Sequence, residues 1–217
     1  MNNLINKYRI FGRKKGRKKF QHTDYNFHKK YLLNLNTDFY NNKIILDIGS
    51  GRGENALCLA QQFPEKLIIA CEIYKDGNIS LYNQLIDKKI NNVKIFNQNV
   101  LILFENSNLN ILLEEVWILF PDPWPKKRHH KRRLINDTFF NLVHSKLIRG
   151  GEMIIVTDSI SYFISILNSV YKSKIFRWKN DKPKDWQCSN TDLIQTKYYK
   201  KSINYNRKSI IIILSKI

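Results

Sequence analysis

The stretch IILDIGSGRGE, from Ile44 to Glu54, decides the fold. Its first five residues form a short apolar run that ends at a glycine, which predicts a buried strand. Glycines then alternate at positions 49, 51 and 53, and such spacing lets the backbone pass close beneath a ligand and turn into a helix. Apolar residues at helical spacing follow from Ala56 to Ala60. The stretch therefore predicts a strand, a binding turn and a helix in direct succession.

Strands and helices alternate on either side of this stretch. The predicted strands are Ile44–Ile48, Leu67–Glu72, Val93–Phe96, Val116–Phe120, Met153–Thr157 and Ile210–Leu214. The predicted helices are Gly53–Gln62, Asn78–Ile90, Thr138–Leu147 and Tyr162–Tyr171. This alternation favours an α/β fold with a mostly parallel sheet that is covered on both faces. Gly150-Gly151 is interpreted as a turn, and 180–196 as a loop.

Positive charge is concentrated in three places along the 217 residues. The chain holds 37 Lys and Arg against 18 Asp and Glu, a net charge of +19. Residues 1–30 and 172–217 each carry a net charge of +9, while residues 31–171 carry +1. Six of the Lys and Arg residues in 31–171 lie in the stretch Lys126–Arg133. Compositional bias alone would scatter the cations. The pattern predicts a basic, mobile arm (1–30), a single domain (31–217) and a polyanionic partner, with nucleic acid favoured over membrane.

Several classes of protein are disfavoured by composition. Hydrophobic residues make up 43% of the chain, which argues against general disorder. The longest aliphatic run, Ile210–Leu214, is far shorter than the roughly 20 residues of a membrane span. The N-terminus has no apolar signal core, and the three cysteines form no CxxC pair, so we expect a cytoplasmic protein with no metal. The oligomeric state stays open between monomer and homodimer.

Polar residues follow the ends of the next two predicted strands. Glu72 lies about 20 residues past the glycines, where a carboxylate can accept both hydroxyls of a ribose. The third strand ends at Asn97-Gln98-Asn99, which suits the edge of an adenine. The GxGxG spacing differs from the GxGxxG of nicotinamide enzymes and lacks the GK[ST] of a P-loop. A nucleoside cofactor is therefore favoured over an ordinary tight turn, and the combination resembles the class I S-adenosylmethionine-dependent methyltransferases.

The fourth predicted strand runs into FPDPWPKKRHHKRR, residues 120–133. Two prolines fix the backbone around Asp122 and hold its carboxylate at the strand end. Trp124 offers a face on which a base can stack, and the six cations that follow can neutralise phosphates. The alternative is that FPDPW is only a rigid turn and that the basic run is only a solvated loop. This alternative does not explain why the two lie next to each other at the end of a strand.

This string resembles the signature of the bacterial tRNA (guanine-N7)-methyltransferases. The resemblance extends to FGRKKGR (11–17), DIGSGRGE (47–54), Thr157-Asp158 and Thr196-Lys197, and so spans about residues 11 to 200. It implies a doubly wound, mostly parallel seven-stranded sheet of the Rossmann-like class I methyltransferase type. It also implies transfer of a methyl group from S-adenosylmethionine to N7 of guanine 46 in the variable loop of tRNA.

The resemblance assigns roles to individual positions. The cofactor contacts it implies are Asp47, Glu72, Asn99 and Asp122, to which the residues themselves add Gly49, Gly51 and Gly53. Asp122 is also the implied catalytic residue, and the implied substrate contacts are Lys126, Asp158, Thr196, Lys197, Tyr198 and Tyr199. The implied RNA contacts are Arg128, His129, His130, Lys131, Arg132 and Arg133. From its charge, we also expect the arm to bind the tRNA backbone through Arg9, Arg13, Lys14, Lys15, Arg17 and Lys18.

The chain departs from the family pattern at a few positions. Asn99 stands where the family has Asp, Ser159 where it has Trp, and Thr196–Ser202 lacks the acid, the Arg and the Gly of T-K-F-E-x-R-G. Two alternatives therefore stay open: a noncatalytic RNA-binding protein with a decayed cofactor pocket, and a methyltransferase of another RNA or a small molecule. Guanine N7 has a free lone pair, so the reaction needs no general base. A carboxylate, Asp122 or Asp158, would stabilise the positive charge that develops on the base.

Overall fold

The structure is a computed structural model and describes residues 27–34, 43–105, 111–186, 196–205 and 207–217. The chain divides into two compact units, residues 1–111 and 112–217. Each unit has its own parallel strands and its own helices. Within the described ranges, no helix combines the length and the apolar character needed to cross a membrane.

Three parallel strands form the centre of the first unit. They are β1 (Ile44–Ile48), β2 (Leu67–Cys71) and β3 (Val93–Phe96). β2 lies between the other two and pairs with both in parallel. All five side chains of β1 are buried, as expected of continuous apolar strands that are covered on both faces. The carboxyl ends of the three strands therefore lie at one edge.

The helices of the first unit follow these strands. They are α1 (Glu54–Gln62), α2 (Lys75–Asp87) and α3 (Val100–Glu105). α2 begins at Lys75 rather than at the predicted Asn78. α3 was not predicted, because a helix of six residues, five of them apolar, is too short to show a helical period.

Only the end of the predicted N-terminal arm is described. Lys29–Tyr31 form a single 3-10 turn, and Tyr31 is buried with its ring perpendicular to that of Tyr82, 5.6 Å between centroids. Residues 1–26 lie outside the described residues. The mobile arm and the single domain over 31–217 stay predictions.

The second unit contains four strands. They are β4 (Leu113–Leu119), β5 (Leu147–Thr157), β6 (Phe176–Trp178) and β7 (Ile210–Lys216). β4 is parallel to β5, β5 pairs antiparallel with β7, and β7 pairs antiparallel with β6. The helices are α4 (Asp137–Lys146), α5 (Ile160–Ser173) and α6 (Lys197–Asn204). The described parts of the two units thus supply seven strands, the number that the family resemblance implies and one more than the sequence pattern predicted.

Gly150-Gly151 does not turn the chain into a new strand. β5 begins at Leu147, six residues before the predicted Met153, and continues through both glycines. Gly150 has φ +74°, and the pairing with β4 shifts register between Leu113 and Glu115. The glycine pair is therefore an irregularity within a strand, which isolated glycines in strands commonly mark.

Two short elements of the second unit escaped prediction. β6 has only three residues and forms by pairing with β7, which lies more than 30 residues further along the chain. α6 is capped by Thr196, whose hydroxyl accepts a hydrogen bond from the Tyr199 amide at 3.2 Å. The predicted loop over 180–196 contains a 3-10 turn, Pro183–Trp186, and its residues 187–195 lie outside the described residues.

Candidate functional site

The glycine loop that follows β1 needs glycine at its three alternate positions. Gly49, Gly51 and Gly53 have φ values of +73°, +58° and +85°, a region that side chains other than glycine rarely adopt. The Gly49 amide donates to the Cys71 carbonyl at 2.8 Å, which ties the loop to the end of β2. A Cβ at Gly53 would lie 2.4 Å from Leu81 Cδ1. The sequence interpretation of this loop agrees with its conformation.

Gly77 is a further glycine of this site, which the sequence analysis missed. A Cβ at Gly77 would lie 2.1 Å from the Gly51 carbonyl oxygen. The backbone of α2 therefore packs directly against the loop, without a side chain between them. A lone glycine near a helix start gives no such signal in sequence, since the contact joins segments 26 residues apart.

Glu72 is fixed to the glycine loop by main-chain hydrogen bonds. Its Oε2 accepts from the Gly51 amide at 2.9 Å, and its Oε1 accepts from the amides of Ile73 and Tyr74 at 2.7 and 2.9 Å. Hydrogen bonds to an ionised carboxylate are about twice as strong as neutral ones. The Glu72 carboxylate, which is predicted to bind a ribose, is thus held rigidly beside the loop.

Asp47 is a buried carboxylate beneath the same loop. It is 1% exposed, and its Oδ1 accepts from Asn55 Nδ2 at 3.1 Å. Burial raises the pKa of Asp47 to about 7, and the charge of Glu72 adds to the shift. A positively charged ligand group would stabilise the ionised form of Asp47.

Four buried polar atoms around the loop have no hydrogen-bond partner among the described residues. They are Asp47 Oδ2, Ser50 Oγ, Asn55 Oδ1 and Asn78 Oδ1. Buried polar groups in folded proteins are nearly always paired, so this cluster indicates a ligand. All four atoms can accept a hydrogen bond. The cluster therefore fits a ligand that brings N–H and O–H donors and positive charge, as S-adenosylmethionine does through its ammonium group and ribose.

Asn99, the predicted adenine contact, caps a helix. Its Oδ1 accepts from the Leu101 amide at 3.0 Å at the start of α3. Asn and Asp both suit this position, which accounts for the exchange between this chain and the family pattern. Asp47 lies in β1, one residue before the strand ends, and the glycines, Glu72 and Asn99 belong to the loops that follow β1, β2 and β3.

In the second unit, a strained loop follows β4. Phe120 and Trp124 have φ values of +51° and +44°, a left-handed conformation that costs about 1–2 kcal/mol for each such residue. They flank Pro121, Asp122 and Pro123. Strain of this kind persists where surrounding structure imposes it, and it is concentrated at functional sites. Asp122 lies on the surface, yet partial desolvation raises the pKa of its carboxyl group.

The basic stretch forms a 3-10 helix, Lys127–Arg132, beside this loop. The Arg132 guanidinium lies 5.0 Å from the centroid of the Trp124 ring, and the His129 ring meets Trp124 edge-on at 5.8 Å. Desolvation and the charges of Arg132 and Lys126 lower the pKa of His129. Lys126, Lys127, Arg128 and Lys131 are exposed, whereas His129, His130 and Arg132 are half-buried.

Arg133 differs from the other predicted RNA contacts, since it is 4% exposed. Its Nε donates to the Pro123 carbonyl at 2.9 Å, and its Nη1 and Nη2 donate to the Ser161 carbonyl and hydroxyl at 3.2 and 2.9 Å. The side chain therefore faces the interior of the unit, where it bridges the strained loop and α5.

Asp158 pairs with a residue that the sequence analysis did not single out. Its Oδ2 accepts from Arg207 Nη1 at 3.1 Å. Ser159 caps α5, since its hydroxyl accepts a hydrogen bond from the Tyr162 amide at 3.4 Å. The predicted substrate segment Thr196–Tyr199 forms the cap and first turn of α6. Arg9, Arg13, Lys14, Lys15, Arg17 and Lys18 lie outside the described residues.

No cluster of three or more His, Cys, Asp or Glu that could hold a metal occurs within the residues the structure describes. His129 and His130 are expected to contact phosphate. Both lie in the 3-10 helix that carries the cations, and His129 also meets the Trp124 ring.

Comparison with known proteins places the chain among methyltransferases. A family model described as "Putative methyltransferase" matches residues 41–211. A tRNA (guanine-N(7)-)-methyltransferase from Buchnera aphidicola subsp. Acyrthosiphon pisum (strain 5A) is 34% identical over 192 residues, which cover 83% of this chain and 80% of that relative.

Two solved structures show the fold. An rRNA methylase from Streptococcus thermophilus aligns with a TM-score of 0.53 at 14% identity and covers 81% of this chain and 87% of its own. A protein from Streptococcus mutans in complex with SAH aligns with a TM-score of 0.54 at 14% identity and covers 82% and 90%. The predicted fold class, a mostly parallel seven-stranded sheet of the class I methyltransferase type, is confirmed.

Proposed function

Because the chain belongs to the bacterial tRNA (guanine-N7)-methyltransferase family, we propose that it methylates guanine 46 in the variable loop of tRNA. It is an S-adenosylmethionine-dependent tRNA methyltransferase that acts on guanine N7. The observation that carries this function is the identity to a curated relative, which extends over 80% of that relative. The FPDPW loop and its basic helix support the choice of guanine 46, because they are the part of the chain that matches the family signature.

The first unit supplies the residues that would hold the cofactor. Asp47, Ser50 and Asn78 offer unpaired buried acceptor atoms, and Glu72 and Asn99 lie on neighbouring strand-end loops. S-adenosylmethionine, when bound, supplies a methyl group that its sulfonium activates. A decayed cofactor pocket would not be expected to keep three left-handed glycines and this set of acceptors. The noncatalytic alternative is therefore disfavoured.

In this proposal, a carboxylate of the second unit stabilises the positive charge that methyl transfer creates on the guanine. Guanine N7 would accept the methyl group with its own lone pair, so no residue of the chain has to remove a proton. Positive charge appears on the guanine ring. An ionised Asp122 stabilises that charge in a partly desolvated setting, where electrostatic interactions are stronger than in water. Asp158 and the first turn of α6 are the further substrate contacts in this proposal.

The exposed cations hold the RNA. Lys127, Arg128 and Lys131 lie along one short 3-10 helix, and Lys126 directly precedes it. Such a row binds phosphates without reading sequence, so it orients the tRNA while other groups select the guanine. The arm adds cations of its own. We place the protein in the cytoplasm, because a reducing environment suits a chain whose three cysteines form no CxxC pair.

The test is incubation with labelled S-adenosylmethionine and unmodified tRNA, followed by nucleoside analysis and mapping of the label. We expect 7-methylguanosine at position 46 and no label in a tRNA that carries adenosine there. The variant Asp122→Asn should lower turnover at saturating substrates by about 100-fold, the usual effect of removing one group that stabilises the transition state. Label in another nucleoside would refute the function, and label at another guanine would refute the position. Full turnover by Asp122→Asn would refute the role of that carboxylate.

A further inference from the structure

The basic stretch contains one arginine that points inward. Arg133 is 4% exposed, whereas Arg128, five residues earlier, is exposed. A cation that contacts RNA phosphates must reach the surface, and it then gains from the counterions that are released. Arg133 is in no position to act in this way.

The guanidinium of Arg133 joins two segments that are far apart in the sequence. One hydrogen bond goes to the carbonyl of Pro123 at 2.9 Å. Two more go to the carbonyl and the hydroxyl of Ser161 in α5, at 3.2 and 2.9 Å. The guanidinium also lies 4.8 Å from the centroid of the Tyr162 ring. The planar guanidinium donates hydrogen bonds to both segments at once, which the single ammonium group of a lysine cannot do with the same geometry.

The segment that Arg133 holds is the strained one. Pro123 lies between Asp122 and Trp124, and both Phe120 and Trp124 are left-handed residues other than glycine. The turn is tied at its start, where the Phe120 amide donates to the Val156 carbonyl at 2.7 Å. Proline has no N–H of its own, so at Pro123 the carbonyl is the main-chain group that can be anchored. Without that anchor, relief of the strain at Phe120 and Trp124 would move Asp122.

The anchor itself is rigid. Tyr162 is fully buried, and its hydroxyl accepts a hydrogen bond from the Ile135 amide at 3.0 Å. That bond fixes the chain just after Arg133 to α5. Arg133 is thus held at both ends, by its own backbone and by Ser161.

We propose that Arg133 is a positioning residue, which fixes the Pro121–Pro123 turn to α5 and thereby sets the place of the Asp122 carboxylate. This inference rests on the proposed function, because it assigns Arg133 an effect on methyl transfer. It also separates Arg133 from the RNA-contact role that the family resemblance implies. The two roles differ in what a substitution changes: positioning affects turnover, whereas a phosphate contact affects tRNA affinity and its dependence on salt.

The experiment compares Arg133→Lys and Arg133→Ala with Arg128→Ala. Arg133→Lys should lower kcat at saturating tRNA by about tenfold or more, because small misplacements of a catalytic group have effects of this size. Its tRNA Kd and the salt dependence of binding should stay within twofold of wild type. Arg128→Ala should raise the tRNA Kd and reduce the salt slope by about 1. Methylguanidinium at millimolar concentration should restore part of the kcat of Arg133→Ala and leave wild type unchanged.

Hydrogen exchange gives a readout that does not depend on activity. Amides of residues 120–126 should exchange faster in Arg133→Lys than in wild type, while those of the glycine loop at 49–53 should not change. If wild type does not methylate tRNA, the proposed function fails, and this exchange result still tests the anchor. The inference is overturned if Arg133→Lys behaves like Arg128→Ala in tRNA binding. The inference is also overturned if the folded fraction of Arg133→Lys keeps the wild-type kcat, or if hydrogen exchange at 120–126 is the same in this variant as in wild type.

Discussion

The amide of Gly51 donates a hydrogen bond to Oε2 of Glu72 at 2.9 Å, so the tip of the glycine loop is fastened to the end of the neighbouring strand. Glu72 Oε1 receives two further amides, from Ile73 and Tyr74. One carboxylate thereby orders two loops of the cofactor site. Its contact with a ribose is a proposal, whereas its role in shaping the site is visible in these three bonds.

Glu72→Gln is expected to weaken binding of S-adenosylmethionine by about tenfold. An amide keeps one acceptor oxygen but points its NH2 group at an N–H donor, and an unsatisfied buried donor costs about 1–3 kcal/mol. Calorimetric titration with the cofactor measures the effect. Glu65→Gln, an exposed position, is the matched control and should bind as wild type does. Equal affinity in Glu72→Gln and Glu65→Gln would contradict this role of Glu72.

Cofactor binding is expected to release a proton from Asp47. Burial raises its pKa to about 7 in the free protein, and the positive charge of the bound cofactor would favour the ionised form. The Kd for S-adenosylmethionine should therefore fall about tenfold between pH 6 and pH 8. Calorimetry in buffers of different ionisation enthalpy counts the protons released. Asp47→Asn should bind more weakly at pH 8 and lose the dependence on buffer, and a wild-type protein without that dependence would exclude the coupling.

The raised pKa of Asp47 also predicts how the free energy of unfolding depends on pH. The carboxyl of Asp47 has its folded pKa near 7 and an unfolded value of 3.8, so between these pH values the folded chain holds a proton that the unfolded chain has released. The free energy of unfolding without cofactor should therefore decrease as pH rises from about 4 to 7. Urea unfolding at several pH values measures this slope. Asp47→Asn should show a shallower slope, and Asp87→Asn, at an exposed position, should follow wild type.

Local sequence patterns were enough to predict the glycine loop and the strands beside it. A buried strand, three glycines and a helix follow one another within residues 44–62, so every residue that defines the feature is close in the chain. The fixed turn around Asp122 was predicted for the same reason, since Pro121 and Pro123 adjoin it, whereas the left-handed conformations of Phe120 and Trp124 were not predicted.

Features that depend on distant segments could not be predicted in this way. The inward orientation of Arg133 is set by Ser161, 28 residues away. A run of six cations suggests a solvated surface for every member, and only packing reveals the one that is buried. The pairing of Asp158 with Arg207 joins residues 49 positions apart, and no pattern in the sequence near either residue predicts it.

Gly77→Ala is expected to destabilise the protein, although alanine is the better helix former. In an exposed helix interior, this exchange would stabilise by about 1 kcal/mol. Here the added Cβ would lie 2.1 Å from the Gly51 carbonyl oxygen, and overpacking of this kind costs about 1–3 kcal/mol. We expect a lower free energy of unfolding in urea together with weaker cofactor binding. Asp87→Ala, in the same helix, controls for the change in helix propensity, and a stabilised Gly77→Ala would show that α2 and the loop are not in close contact.

The last prediction separates local tRNA contacts from net charge. Arg13→Gln/Arg17→Gln and Lys172→Gln/Lys174→Gln each remove two positive charges, the first pair from the arm and the second from exposed positions in the basic C-terminal part. If the arm touches the tRNA backbone, the arm pair should reduce the slope of log K against log salt by about 0.7–0.9 for each phosphate that is no longer neutralised. The second pair should leave the slope nearly unchanged, since charges that do not touch the RNA are screened beyond about 10 Å at 0.1 M salt. Filter binding across a salt series measures both slopes. Equal slopes for the two pairs would mean that the arm acts only through net charge, and removal of residues 1–19 would then have no larger effect than its charge predicts.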